Sequence, residues 1–173
     1  MQKITPILFL IICFFGCKSS KHVSKSKAET NKVIINKTSP SKSDSSIIAD
    51  HVIDYAKRFN GVKYKYGGTT KKGVDCSGLV ITSFKSEDIV LPRTTKDLSV
   101  SGDWVDLKDV KKGDLLFFAT KKNSRRVNHV AIVTSARTGY VEFIHATTSE
   151  GVIVSNLAER YWYFAFVQAR RIL

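Results

Sequence analysis

Apolar and polar positions change their spacing once along this chain, and the change divides it into a helical first part and a stranded second part. Ile48, Val52, Tyr55, Ala56 and Phe59 recur every three to four residues, the period of a helix with one buried face. Ser45 or Ser46 is placed to cap that helix and Gly61 to end it. A loop with Tyr64, Tyr66, Gly67 and Gly68 follows. Leu79, Val80 and Phe84 mark a second helix that begins at Cys76, has Asp75 as its N-cap and fades near Ser86. Leu91-Pro92-Arg93-Thr94-Thr95 reads as a turn into a short helix through Leu98, closed by Gly102.

From Leu115 onward the period is that of strands. Residues 115–119 and 128–135 form two of them, separated by the basic loop Lys121-Lys122-Asn123-Ser124-Arg125-Arg126, which is most simply a solvated turn. Arg137-Thr138-Gly139 turns into a third strand over 140–146, Gly151 precedes a fourth over 152–155, and a last one covers 164–170. Helices followed by a meander of strands predict one α+β domain over residues 47–173, with helices packed on an antiparallel sheet.

The residues before this domain have another character. Met1-Gln2-Lys3 and the apolar run 4–16 have the charged start and short hydrophobic core of a secretory signal peptide, and the run is too short to span a bilayer. Phe14-Phe15-Gly16-Cys17 resembles the lipobox of bacterial lipoproteins, which implies a signal peptide over residues 1–17 and lipidation at Cys17. Several acyl chains there would give durable membrane attachment. Residues 18–46 are rich in Lys, Ser, Thr and Asn without a helical or strand period, the composition of a flexible basic linker. As a random coil it spans about 30 Å on average.

Charge and cysteine content then narrow the function. The chain carries 28 Lys and Arg against 15 Asp and Glu, a net charge of +13. Such an excess points to nucleic acid, acidic polymers or anionic membranes, and export removes nucleic acid from that set. Of the three cysteines, Cys13 lies in the signal segment and Cys17 at the lipidation point, so Cys76 is the single thiol left and no internal disulfide is expected. An unpaired thiol in an oxidising compartment is exposed to damage, so its retention argues for use as a nucleophile. A helix start favours thiolate over thiol through its free N–H groups and dipole.

Attack by sulfur needs a base and a group that orients the base. His129 and His145 lie on adjacent strands joined by a short turn, where they can share one face of the sheet. His129 fits the base and His145 the orienter, while His51 is most simply a surface residue. Two other readings stand beside this one. Cys76 can be a small buried hydrophobe with two unrelated histidines nearby. One Cys and two His also match some catalytic zinc sites, although no short-range ligand spacing supports a metal.

The stretches Gly61-Val62-Lys63-Tyr64-Lys65-Tyr66-Gly67-Gly68, Asp75-Cys76-Ser77-Gly78-Leu79-Val80, Leu91-Pro92-Arg93-Thr94, Lys112-Gly113-Asp114-Leu115, Asn128-His129-Val130-Ala131-Ile132 and Phe143-Ile144-His145-Ala146 together resemble the NlpC family of papain-like cell-wall cysteine peptidases. The resemblance covers residues 48–173. It implies a Cys-bearing helix packed on an antiparallel sheet that carries two histidines, with Cys76 as nucleophile, His129 as base and His145 as third polar residue. Tyr64 matches a tyrosine whose hydroxyl helps stabilise the oxyanion together with the Cys76 N–H, a term that is often the largest in catalysis. Asp75, Ser77 and Arg93 fall with Tyr64 on the oxyanion and substrate side. No metal or cofactor is implied.

Within that family the Thr69-Thr70-Lys71-Lys72-Gly73 loop and the tail from Thr148 look like the single-domain murein endopeptidases of Gram-negative envelopes, which cut D-Ala to meso-diaminopimelate cross-links. Other members cut between D-Glu and diaminopimelate, commonly with an added SH3-like domain for which this chain has no room. A related wall-hydrolase family cuts between sugar and peptide. A non-catalytic envelope protein that only binds peptidoglycan is a rival from another class. The expectation is a monomer that meets peptidoglycan from a lipid anchor in the outer membrane, facing the periplasm.

Overall fold

The computed structural model describes residues 42–173. The signal segment, Cys17 and residues 18–41 of the linker lie outside the described residues. The first helix, α1, runs Lys42–Lys57, so residues 42–46 belong to it and not to the linker, and it starts ahead of the serines expected to cap it. Asp44 in its first turn complements the helix dipole. Ala49, Val52, Ile53 and Ala56 form its buried stripe, and Gly61, with φ of +76°, turns the chain out of it.

A small hairpin, β1 (Thr69–Thr70) with β2 (Gly73–Val74), leads into α2 (Cys76–Lys85). A short helix, α3 (Thr95–Leu98), follows with Thr94 as its cap. Then come β3 (Asp103–Val105), a 3-10 turn over Leu107–Asp109, β4 (Leu115–Phe118), β5 (His129–Arg137), β6 (Tyr140–Thr147), β7 (Gly151–Asn156), α4 (Arg160–Ala165) and β8 (Phe166–Arg171). The six-stranded sheet has the order β3-β8-β4-β5-β6-β7, antiparallel throughout. N-terminal helices on an antiparallel sheet are the α+β arrangement that the change of period predicts.

Both faces of this sheet are covered. Side chains alternate across a strand, so Leu115, Phe117, Val130, Ile132 and Ile144 pack with α1 and α2 on one side. Leu116, Phe118, Ala131, Val133 and Phe143 pack with Trp162 and Ala165 of α4 on the other. All four residues of β4 are fully buried, which is why it reads as an unbroken apolar run. Each large side chain buried this way contributes about 1.5–3 kcal/mol. The second layer, the hairpin and β3 were not expected from the periodicity, and the strand expected from residue 164 starts at Phe166 because α4 takes the residues before it.

One buried ion pair closes the sheet. Arg171 on β8 grips both carboxylate oxygens of Asp114, at 2.8 and 2.7 Å, and the Lys111 N–H donates to the same carboxylate at 2.7 Å. Asp114 is therefore the part of the Lys112-Gly113-Asp114-Leu115 stretch that anchors the last strand to the start of β4. Among the described residues no helix is long and apolar enough to cross a membrane.

Candidate active site

The start of α2 is built from backbone caps and close packing. Asp75 is in extended conformation, and its Oδ1 accepts from the Gly78 N–H at 2.6 Å, the N-cap the sequence predicts. Its Oδ2 accepts from Gly67 N–H and from Arg93 Nη2, both at 2.7 Å. Arg93 Nη1 donates to Ser77 Oγ at 2.6 Å, so one guanidinium clamps both residues that flank Cys76. Gly78 has to lack a side chain because a β-carbon there would run into the Gly68 carbonyl, and the hairpin therefore lies directly on the first turn of α2. Burial works against ionised Asp75, but the Arg93, Gly78 and Gly67 hydrogen bonds outweigh it and hold the carboxyl below its usual range.

Cys76 itself is buried. Its Sγ lies 3.6 Å from Thr95 Oγ1, on the first turn of α3, and takes further support from the backbone amides of Val130 and Ser77. Burial pushes the thiol above its ordinary pKa, the Asp75 charge adds to that rise, and the Thr95 and amide contacts only partly oppose it. This corrects the expectation of a thiolate favoured by the helix start, since desolvation outweighs the helix N-terminus here.

The histidines form a relay on the sheet. His129 Nε2 and His145 Nδ1 are hydrogen-bonded at 3.0 Å, and His145 Nε2 continues to Ser155 Oγ on β7, also at 3.0 Å. The two imidazoles are on the same face of the sheet, as their placement on adjacent strands predicts. Trp162 backs them, stacked on His129 with centroids 5.6 Å apart and edge-on to His145 at 4.6 Å. Burial lowers His129 to about 4, and burial together with the neighbouring His129 lowers His145 to about 3. Both rings are therefore neutral at pH 7. Among the described residues no group of three or more His, Cys, Asp and Glu side chains is placed to hold a metal ion.

The arrangement brings the sequence-selected residues into two groups. Tyr64 is joined by a backbone bridge to Val74, two residues before Cys76. Burial first, then the charges of Cys76 and Asp75, raise its phenol, so it belongs with Asp75, Cys76, Ser77 and Arg93. His129 and His145 make the second group. Among the described residues the side chain bonded to the thiol is Thr95, and His129 is linked to it through the chain, as the neighbour of Val130 whose amide supports the sulfur. His51 pairs with Glu87 at 3.3 Å on the surface, away from both groups.

A family-level comparison matches residues 61–171 to the NlpC/P60 family. The chain belongs to that family. Its NlpC/P60 relatives include the probable endopeptidase NlpC of Escherichia coli K12, 40% identical over 131 residues, or 75% of this chain and 82% of that protein. The E. coli K12 protein named murein DD-endopeptidase MepS/murein LD-carboxypeptidase is 37% identical over 127 residues, or 73% of this chain and 64% of that protein. Among solved structures, an NlpC/P60 family protein from Bacillus cereus superposes with a TM-score of 0.66 at 34% identity, covering 72% of this chain and 40% of that one. The chain thus spans well under half of that structure and less than two thirds of MepS. With these neighbours the fold is the papain-like α+β fold of NlpC/P60 domains.

Three residues of this NlpC/P60 site escaped the sequence reading. Thr95 stood in the right turn but carried no sign that its hydroxyl would meet the sulfur. Ser155 is a small polar residue on the inward side of β7, and the hairpin register that sets His145 opposite Ile153 brings it diagonally to the imidazole. Trp162 lay in a stretch read partly as strand and partly as connection.

Proposed function

We propose that this protein is a peptidoglycan endopeptidase in which the Cys76 thiol attacks an amide bond of murein stem peptides. The observation that carries the reading is the Ser155–His145–His129 relay, ending one residue from the amide that supports the only cysteine among the described residues. With His145 occupying Nε2 of His129, the other ring nitrogen, Nδ1, is left to take the thiol proton. The consistent neutral tautomers place a proton on Nε2 of His129, donated to His145 Nδ1, and a proton on Nε2 of His145, donated to Ser155. The thiol and the base are both neutral at rest, so proton transfer accompanies attack on the carbonyl.

The chemistry then runs in two halves. The sulfur adds to the carbonyl carbon, and the developing oxyanion is met by the Cys76 N–H and the Tyr64 hydroxyl. Collapse breaks the C–N bond as His129 returns its proton to the leaving amine, leaving a thioester. Water, deprotonated by His129, attacks the thioester and releases the acid and the thiol. Asp75, Ser77 and Arg93 form the rigid charged wall beside the nucleophile on the substrate side.

The bond assigned is the D-Ala to meso-diaminopimelate cross-link, in keeping with the murein DD-endopeptidase name of one relative. Incubating the full chain with isolated sacculi and analysing the products by mass spectrometry tests this. Cross-linked muropeptides should fall and monomers rise. Cleavage after D-Glu, or glycan stripped of peptide, would reassign the bond. No fragments, or equal fragments from Cys76→Ala, would overturn the enzyme. The apolar run and Cys17 support a signal peptide over residues 1–17, a lipid anchor at Cys17 and a place on the periplasmic face of the outer membrane. Incorporation of labelled palmitate that disappears in Cys17→Ala checks the anchor.

A further inference from the structure

α4 exposes more aromatic surface than its length would suggest. Tyr161, Tyr163 and Phe164 are 57%, 62% and 67% exposed, while Trp162 and Ala165 between them fill the core. The basic loop after β4 sits against it. Arg125 donates from both terminal nitrogens to the carbonyls of Phe164 and Phe166, at 3.3 Å each, which makes loop and helix one surface. Lys121, Lys122 and Arg126 on that loop are exposed, as is Arg160 on α4, whose guanidinium lies 6.0 Å from the centroid of the Phe164 ring. Glu159, at the start of α4, turns its carboxylate back to accept from the Asn156 N–H at 2.7 Å. An open cavity of about 640 Å³ lies between Lys121, Lys122, Arg160, Tyr161 and Phe164.

Exposed apolar surface rimmed by one sign of charge marks a binding site for a partner of the opposite charge. Tyrosine offers both an apolar face and a polar tip. The position of the surface selects the partner. Trp162, buried beneath the patch, stacks on His129 and packs against the Tyr161 ring with centroids 4.8 Å apart, so one side chain joins the patch to the relay. We propose that α4 and the 121–126 loop form a substrate subsite that holds peptidoglycan beyond the scissile bond, with sugar rings against Tyr161 and Phe164 and stem-peptide carboxylates against Lys121, Lys122 and Arg160. This rests on the proposed peptidoglycan substrate. The direct packing of α4 on the relay through Trp162 sets the anionic wall polymer, the proposed substrate, ahead of anionic lipid.

The test is binding by the full chain carrying Cys76→Ala, co-sedimented with sacculi and separately with phosphatidylglycerol vesicles. Adding Lys121→Glu, Lys122→Glu, Tyr161→Ser and Phe164→Ser should weaken sacculus binding about tenfold. Lys57→Glu with Lys85→Glu, on exposed positions elsewhere, should change it less than twofold. The loop pair Lys121→Glu and Lys122→Glu alone leaves α4 untouched and should weaken binding about threefold, with added salt eroding the difference. Unchanged sacculus binding in both patch variants overturns the subsite, as does a loss confined to vesicles. If the unmodified chain releases muropeptides while the patch variants bind normally, the subsite alone fails. If patch-dependent binding is present but the unmodified chain releases nothing, the enzymatic reading fails instead.

Discussion

The two halves of the site are built on opposite electrostatic plans. The cysteine half is charged and local: Asp75, 7% exposed, is tied to Arg93, 38% exposed, and to two backbone amides within a short span of chain. The histidine half is neutral and non-local, assembled by three strands and walled by Trp162, Phe118 and Phe143. Full charge is thus placed where it fixes backbone, next to Cys76, whereas the two imidazoles are perturbed by burial and by each other and not by a carboxylate. Both halves hold their reactive groups uncharged, because burial raises the thiol and lowers the imidazoles. On the proposed mechanism, the proton then moves during the reaction and not before it.

The largest way to break this comparison is Cys76→Ala, expected to cut muropeptide release by about 10⁴-fold or to the limit of detection, as loss of a nucleophile does. The same variant should melt near the parent temperature, because the small buried site accepts a methyl. Next comes the relay. His145→Gln should lower kcat on sacculi by about 10²-fold with little change in KM, and Ser155→Ala should follow in the same direction with a smaller drop. A rise in KM alone would show that His145 serves binding and not the base.

On the charged half the expected effect is on stability. Asp75→Ala removes a cap and an ion pair and should cost about 2 kcal/mol in urea unfolding, with Asp75→Asn, which still caps, losing less. Asp75→Asn should also quicken alkylation of Cys76 by iodoacetamide, since the carboxylate holds the thiol pKa up. Slower alkylation would break the link between the Asp75 charge and the thiol. The smallest effect is that of pH on the neutral half. An unfolded imidazole binds its proton near 6.5, whereas folded His129 and His145 wait until about 4 and 3. Between those values the unfolded chain takes up more protons, so stability falls as pH falls. The melting temperature should drop by about 3 °C between pH 7 and pH 6, and by less in His145→Gln. A rise on acidification would contradict a neutral relay.

What was legible in the chain followed the range of the interaction. The Asp75 cap could be read because it spans three residues, and the shared face of His129 and His145 because strand alternation is strict. The Thr95 and Ser155 contacts depend on how separate elements meet, and no local spacing encodes them. α4 was missed because its Arg160–Ala165 run lacks a side-chain cap and is rich in aromatic residues of high strand preference, which packing on the sheet overrides. The thiolate expectation failed for a related reason. The helix start is a local influence, and the burial that opposes it comes from the whole core around Cys76.

The stacking of Trp162 on His129 also makes the relay optically visible. The chain has two tryptophans, and Trp104 lies exposed on the edge strand β3, so Trp104→Phe leaves an indole in contact with both imidazoles as the sole tryptophan emitter. Charging either ring changes the surroundings of that indole, and on the proposed mechanism so does substrate binding at His129. The protein therefore carries its own reporter of histidine protonation, readable in a stopped-flow fluorimeter without any attached dye.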